Sequence, residues 1–457
     1  MRTTNDLLPA CASRSLRRMN GAGEPAVEAK LIRALGVPAL TANIVNSTIG
    51  AGIFVLPALV ARDLGPAAPL AFLVCAAAMV IFVTCFAIAG SRVPLTGGLY
   101  AYIEVAFGRY AGYLAGVLYA ITAISAVAGV GNVLVDSIAG LIPSLGNPVM
   151  RVFLMFLVYG SLAVINIRSV RFGAAAVGMV TVAKLLPLLV FVGVGIFFIH
   201  PGSFAWQGFP ASKSLGDAVL QLLFAFVGIE VALIPSGEVK QSARTVPRAI
   251  YLSLAITTIL YLLIQIVAQG TLGPELGNNP NTPLAEAASR FLGSFGRAFL
   301  VVGASVSAFG FITSDILSSP RMLFAVGRDG VLPKWFAHVH PRYRSPDVAI
   351  ISYTAIAFFL SVCSSFEGLV VLSNVAVLLM YLLCFAGIWP LIRRPSSSEA
   401  RPMSFPGMQL VPALAIVGIL WLFWLTQPWD KMIRIGAILA AASILYLVRV
   451  KLPRRTS

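Results

Sequence analysis

Long apolar runs separated by short polar stretches dominate the chain. A helix needs roughly 20 apolar residues to cross the hydrocarbon core of a bilayer, and runs of about this length recur along the sequence. The pattern predicts an all-α polytopic membrane protein. The twelve predicted transmembrane helices lie near residues 39–60, 67–90, 111–138, 148–167, 173–199, 216–236, 248–270, 294–324, 348–364, 368–392, 408–427 and 432–450.

Two of the predicted helices are interrupted by glycine and polar residues. The first contains NSTIGAGIF (46–54) and the sixth, five spans later, contains FAFVGIE (224–230). Matching breaks in two five-helix halves are typical of an inverted repeat, in which discontinuous helices meet near the bilayer midplane and form a binding site. The expected parts of the chain are an N-terminal tail at 1–37, a ten-helix transport core at 38–392, two further helices at 393–450 and a C-terminal tail at 451–457.

The charged residues indicate the orientation. The chain of 457 residues is 58% hydrophobic and has a mean hydropathy of +0.90. If the N-terminus is cytoplasmic, 25 of the 33 Lys and Arg lie inside, 7 outside and 1 within a span, whereas the 17 acids divide as 8, 7 and 2. This distribution follows the positive-inside rule, so we expect both termini in the cytoplasm and the chain in the cytoplasmic (inner) cell membrane. Orientation accounts for the net charge of +16, and no motif for a nucleic-acid partner remains.

The first break has the chemistry of a seat for an α-amino acid. Interrupting a helix in a membrane frees N–H and C=O groups, which are tolerated only where they line a cavity or bind a ligand. The N–H groups near Gly50, Ala51 and Gly52 favour a carboxylate, and the carbonyls near Ser47 and Thr48 favour an ammonium group. The alternative is that these small residues serve only close helix packing. A second break beside an acidic residue counts against that alternative.

Four segments resemble the signature segments of the amino acid–polyamine–organocation (APC) permeases, of the bacterial amino acid permease type. They are NSTIGAGIFVLP (46–57), PLTGGLYAYIEVAFG (94–108), FAFVGIEVALIPSGEVKQSARTVPRAI (224–250) and SSPRMLFAVGRDGVLPKWF (318–336). The resemblance covers roughly spans one to ten. It implies the leucine-transporter fold, a 5+5 inverted repeat with broken helices 1 and 6, and alternating access around a substrate held at the two breaks.

The resemblance also implies the substrate contacts. The substrate carboxylate would meet the N–H groups of Ala51 and Gly52, and its amino group would meet the carbonyls of Thr48, Phe224 and Val227. The Phe224 ring would close over the substrate from the outside; without the motif it would be read as an ordinary packing residue. The predicted substrate-binding residues are Thr48, Gly50, Ala51, Gly52, Phe224, Val227 and Gly228.

Three ionisable residues lie well inside the predicted spans, away from the span ends, where a charge costs about 2.5–3.5 kcal/mol, so each is a candidate for proton or cation coupling. Lys184 resembles the lysine that many sodium-independent members carry in place of a bound cation; the alternative is a permanently charged lysine held by carbonyls. Glu230 either couples protonation to opening or merely ties the unwound backbone to a neighbour. Asp315 departs from the family pattern, and we expect it to form an ion pair with Lys184 or to meet a basic substrate side chain.

These features predict a sodium-independent secondary transporter of L-amino acids that works by proton symport or exchange. A cationic amino acid or polyamine exchanger stays open, and so does a receptor that binds an amino acid without transport. The sequence has no catalytic constellation, nucleotide-binding loop or metal-ligand spacing, so we expect no enzymatic activity, cofactor or metal. The expected partners are the amino acid substrate, protons or a counter-transported amino acid, and the lipid bilayer; a homodimer is left open.

Overall fold

The computed structural model of the chain is built from α-helices and short 3₁₀ turns. The structure describes residues 36–92, 98–168, 171–205, 208–233, 239–278, 281–328, 332–393 and 402–451, and no β-strand lies within these ranges. Its α-helices are α1 (Val37–Thr48), α2 (Leu56–Leu64), α3 (Ala68–Arg92), α4 (Gly98–Phe107), α5 (Arg109–Leu141), α6 (Pro148–Arg168), α7 (Arg171–Gly195), α8 (Ser212–Phe226), α9 (Ser242–Leu272), α10 (Pro283–Ser318), α11 (Pro320–Arg328), α12 (Asp347–Cys363), α13 (Phe366–Arg393), α14 (Val411–Thr426) and α15 (Trp429–Lys451). Residues 1–35 and 452–457 of the predicted tails, and 94–97 of the second APC-like segment, lie outside the described residues.

The length and composition of the helices fit a multi-pass membrane protein. Eight helical segments in the described part of the chain are long and apolar enough to cross a membrane. They are Leu56–Arg92, Arg109–Gly140, Pro148–Arg168, Ser242–Asn278, Pro283–Phe324, Phe366–Arg393, Met408–Thr426 and Trp429–Val448. The predicted first and sixth spans are interrupted, and the ninth is shorter, at Asp347–Cys363. The twelve spans and the five-plus-five repeat therefore stay predictions.

The predicted eighth span differs from the structure at both ends. The sequence predicts one span near 294–324, whereas α10 starts at Pro283, bends at Gly293, where φ is 61°, and ends at Ser318. A separate helix, α11, begins at Pro320, because proline fits the first turn of a helix but cannot continue the preceding hydrogen-bond ladder. Asp315 therefore lies three residues before the end of α10.

The interrupted segments lie at the centre of the helix bundle. α9 packs along α1 and α3, α13 packs along α5 and α8, and α7 packs along α10. Small residues allow some of these close approaches, as is usual for helices in a membrane. For example, a Cβ added to Gly303 of α10 would lie 2.6 Å from Cγ of Pro187 in α7. This packing holds the two breaks next to each other.

Candidate functional site

The first helix break separates α1 from α2. α1 ends at Thr48, whose carbonyl accepts a hydrogen bond of 2.9 Å from the N–H of Gly50. A short 3₁₀ turn, Gly52–Phe54, then leads into α2. The first N–H groups of a helical turn have no carbonyl partner inside it. Those of Ala51 and Gly52 lie at the start of this turn, where the sequence predicts the contact with a carboxylate.

The second break touches the first. α8 ends at Phe226, and Gly228 follows with a φ of 108°, a conformation that favours glycine. A Cβ added to Gly228 would lie 2.9 Å from the carbonyl oxygen of Ser47. Only glycine lets the backbones approach this closely. The structure therefore brings the predicted site residues of the first and sixth spans to one place.

Tyr261 of α9 joins the ends of both half-helices. Its hydroxyl lies 3.0 Å from the carbonyl oxygen of Thr48 and 3.0 Å from that of Ala225. The side chain is fully buried, and its single hydrogen can be donated to only one of these carbonyls at a time. The sequence analysis missed this residue. A lone tyrosine in the apolar run TTILYLLIQ was the available signal, but nothing in the run says which helices it contacts.

Phe224 covers the first break. A Cβ added to Gly52 would lie 2.8 Å from Cδ1 of Phe224, so the phenyl ring lies directly on this glycine. The Phe224 ring also meets Phe366 of α13 edge to face, with 5.9 Å between the ring centroids. Thr48 and Ala51 of the first break are only 2% and 1% exposed. The seat is thus closed in this conformation.

A cavity of about 540 Å³ lies beyond Phe366, on the side of the molecule where α2 ends, which we call the outer side after the predicted orientation. Asp136 and Arg151 form an ion pair on its wall. Arg62 of α2 and Glu367 of α13 form another, with two hydrogen bonds of 3.2 and 3.1 Å. The second pair joins residues 305 positions apart and ties α2 to α13 above the seat.

Lys184 binds the first half-helix of span one. The side chain is 7% exposed, and its ammonium group donates a hydrogen bond to the carbonyl of Asn46, two residues before the end of α1. The expected ion pair between Lys184 and Asp315 is absent among the ion pairs of the described residues. The two residues lie on packed helices, but each side chain has a different partner.

Glu230 stabilises the second break. One of its carboxylate oxygens accepts hydrogen bonds from the N–H of Gly228 at 3.0 Å and from the hydroxyl of Tyr381 at 2.9 Å. The residue thereby ties the unwound backbone to α13. A tie between the unwound backbone and a neighbouring helix is one of the two roles that the sequence leaves open for Glu230. The contact also places an ionisable group on the break itself.

Asp315 lies in a cage of hydroxyl groups. One carboxylate oxygen accepts a hydrogen bond from Ser319 at 2.8 Å, and the other accepts one from Tyr353 of α12. Ser319 is also 3.4 Å from the hydroxyl of Tyr119 in α5. Asp315 therefore forms no hydrogen bond or ion pair with Lys184 in the described structure. The sequence does not reveal this cage, because Tyr119 and Tyr353 come from α5 and α12, which lie far from Asp315 along the chain.

Within the ranges that the structure describes, no three His, Cys, Asp or Glu side chains gather in a way that would hold a metal ion. Two histidines lie close together in the loop segment HVH (338–340). His338 pairs with Asp347 at 2.8 Å, and the ring nitrogen of His340 accepts backbone N–H groups of Arg342 and Tyr343. These histidines thus have protein partners.

Known proteins are similar to this chain over most of its length. The sequence profile of a family described as amino acid permease matches residues 35–447. The serine/threonine exchanger SteT of Bacillus subtilis (strain 168) is 28% identical over 398 residues, which are 85% of this chain and 90% of that protein. The branched-chain amino acid permease BcaP of the same organism is 24% identical over 439 residues, 92% of this chain and 94% of that one.

A third relative is larger than this chain. Cationic amino acid transporter 4 of Homo sapiens is 30% identical over 427 residues, which are 86% of this chain but 66% of that protein. The three relatives are named for different amino acids. Family resemblance therefore supports transport of amino acids in general and gives no single substrate.

Proposed function

Because the chain belongs to the amino acid permease family, we propose that it is a sodium-independent secondary transporter of L-amino acids. It works by alternating access, with proton symport or amino acid exchange, in the cytoplasmic (inner) cell membrane with both termini in the cytoplasm. The observation that carries the proposal is the contact between two helix breaks at Gly228 and Ser47, which brings the first N–H groups after one break close to the carbonyl groups that end both half-helices.

The polarity of the two breaks fits both charges of an α-amino acid. The N–H groups of Ala51 and Gly52 begin a helical turn and attract a carboxylate. The carbonyls at the ends of α1 and α8 have the opposite polarity and attract an ammonium group. A polyamine has no carboxylate and would leave the first set unused. An amino acid is therefore the better match to the seat.

Lys184 supports independence from sodium. Its ammonium group is already bonded to the Asn46 carbonyl at the end of α1, where it stabilises the broken helix as a bound cation would. We expect Lys184→Ala to lose transport in any buffer, and sodium to leave the wild-type rate unchanged.

The proposed function is tested by uptake of radiolabelled L-amino acids into proteoliposomes of purified protein. Uptake is measured with and without an inward proton gradient, with and without sodium, and with and without unlabelled amino acid inside. Accumulation that follows the proton gradient means symport, and uptake that needs internal amino acid means exchange. Sodium-dependent uptake would contradict the proposal.

Binding of an amino acid without uptake would instead indicate a receptor, the function of another class that the sequence leaves open. The relation to cationic amino acid transporter 4 makes lysine and arginine necessary members of the substrate panel. Serine, threonine and the branched-chain amino acids follow from the other two relatives. A polyamine in the same panel tests the remaining alternative, a polyamine exchanger. Such an exchanger would take up the polyamine without competition from neutral amino acids.

A further inference from the structure

We propose that Asp315 is the residue that binds the coupled proton, so that this transporter is a proton symporter and Lys184 keeps its charge throughout the cycle. The inference rests on the proposed function and deepens it. The proton adds to the Asp315 carboxylate when the protein faces outward. It leaves to cytoplasmic water when the protein faces inward.

Asp315 has no cationic partner among the residues that the structure describes. Lys184, the cation on the helix packed against α10, is bonded to the Asn46 carbonyl. Arg321, the next cation along the chain, forms no ion pair with Asp315 in the described structure. Ionisation of a carboxyl group that has lost part of its hydration is costly when no cation lies near enough to offset the loss. Proton binding removes that cost without any movement of a second charged group.

The hydroxyl cage suits both protonation states of the carboxyl group. A hydroxyl either donates or accepts a hydrogen bond, and its hydrogen turns to fit its neighbours. When Asp315 is ionised, Tyr353 and Ser319 both donate to it. When Asp315 is protonated, it donates to Ser319, whose own hydrogen then turns to the hydroxyl of Tyr119 at 3.4 Å. A lysine or arginine in the cage would instead fix the charged form.

No charged group on the elements packed against α10 forms a hydrogen bond or ion pair with Asp315 in the described structure. α5 contributes Tyr119, α12 contributes Tyr353, and both belong to the cage. The groups with other partners are Tyr159 of α6, bonded to the Val127 carbonyl, Lys184 of α7, Tyr261 of α9, bonded to the ends of α1 and α8, and Arg62 and Asp63 of α2, at its outer end. The hydrogen-bond partners of Asp315 in the described structure are therefore hydroxyl groups.

Tyr119 connects the cage to the substrate seat. Besides approaching Ser319, it packs against a cluster of buried residues that includes Ala51 of the first break. Ile312 and Tyr353 belong to the same cluster as Ala51, and Phe224 packs against it. A change in α10 on proton binding therefore reaches the seat through continuous packing.

The position of Asp315 allows the proton to leave on the cytoplasmic side. Asp315 is partly exposed and lies three residues before Ser318, the end of α10. In the predicted orientation this end of α10 faces the cytoplasm. Separation of α10 from α5 and α12 would open the cage to water there, and the carboxyl group would ionise.

The test separates exchange from proton-driven accumulation in proteoliposomes. Asp315→Asn has nearly the same size and resembles the neutral carboxyl group. We expect counterflow of labelled substrate within about threefold of wild type, a difference below 1 kcal/mol. An inward gradient of one pH unit drives at most about tenfold accumulation per proton in wild type, and we expect none in the variant. The matched control is Glu275→Gln, which changes an exposed carboxylate paired with Arg290 and should keep both activities.

Three outcomes would overturn the proposal. The first is proton-driven accumulation by Asp315→Asn; the second is loss of counterflow and accumulation together in a monodisperse variant, which would mean a structural role. The third is a selective loss of lysine and arginine uptake with neutral amino acids still accumulated, which would mean that Asp315 recognises substrate.

If Asp315→Asn does not fold, Asp315→Glu decides, because a changed pH profile of accumulation supports proton binding and an unchanged profile contradicts it. Wild-type protein without uptake or counterflow would instead refute the proposed function.

Discussion

Single residues decide how the two broken helices are held. Tyr261 is fully buried and presents one hydroxyl to two backbone carbonyls, those of Thr48 and Ala225, at the ends of separate half-helices. In a membrane no water replaces a lost partner, so the carbonyls of an interrupted helix need such a donor or a ligand. Tyr261 therefore stabilises the breaks while no substrate ammonium group is present.

Tyr261→Phe should lower stability and leave the shape of the site intact. Removing a donor from buried carbonyls costs about 1–3 kcal/mol. The variant is expected to unfold at a lower temperature than wild type in detergent, and substrate should recover part of the loss, because its ammonium group supplies new hydrogen bonds. Tyr110→Phe is the control, since that hydroxyl bonds Ser443 in an exposed place. An unfolding temperature equal to that of wild type would contradict the role of Tyr261.

Gly52→Ala should impair substrate binding. Its new Cβ would lie 2.8 Å from Cδ1 of Phe224 and would have to displace the ring that covers the seat. It also narrows the approach to the Gly52 N–H. We expect at least about a tenfold rise in the half-saturating substrate concentration, which corresponds to roughly 1.4 kcal/mol. Gly160→Ala is the control, because an added Cβ there meets no described atom within 4 Å. Unchanged affinity in Gly52→Ala would place the substrate elsewhere.

At the scale of elements, the sequence indicates where helices break but not how they rotate. The breaks are visible because glycine and polar residues interrupt long apolar runs at 46–54 and 224–230. The partners of Lys184 and Asp315 are not visible, because a residue's neighbours depend on the rotation of α7 and α10 about their axes. Both residues lie in packed helices, yet their side chains have different partners. The end of α10 was also missed, since the apolar run continues through Pro320 into α11.

The pair formed by Arg62 and Glu367 should hold the outer side closed. It ties α2 to α13, and both side chains are about two-fifths exposed, so the pair is worth about 1 kcal/mol or less. Glu367→Gln should therefore increase, by up to about fivefold, the access of solvent to Val55, which lines the outer cavity. The measurement is the rate at which an impermeant maleimide labels Val55→Cys, with Cys363→Ser as background. Glu275→Gln, which breaks a pair on the outer surface, should leave the rate unchanged, and equal rates in both variants would contradict the closing role.

In the molecule as a whole, the closed seat lies between two sets of contacts made by different helices. On the outer side, Phe224, Phe366 and the Arg62–Glu367 pair cover it. At the other end of α10, the hydroxyl cage holds Asp315 against α5 and α12. Alternating access requires that these two sets of contacts open in turn. The family, its transport of amino acids and the places of the breaks follow from the sequence, whereas this arrangement of closing contacts requires the three-dimensional structure.

The central claim is that the two breaks together hold both charges of an α-amino acid. The most direct measurement is competition against uptake of a labelled substrate by two of its analogues, the methyl ester, which lacks the carboxylate, and the deaminated acid, which lacks the ammonium group. Each loses hydrogen bonds to a charged group worth about 1.5–3 kcal/mol, so each should compete at least about tenfold more weakly than the parent amino acid. A methyl ester or a polyamine that competes as well as the parent would contradict the account, because the N–H groups of Ala51 and Gly52 would then have no part in binding.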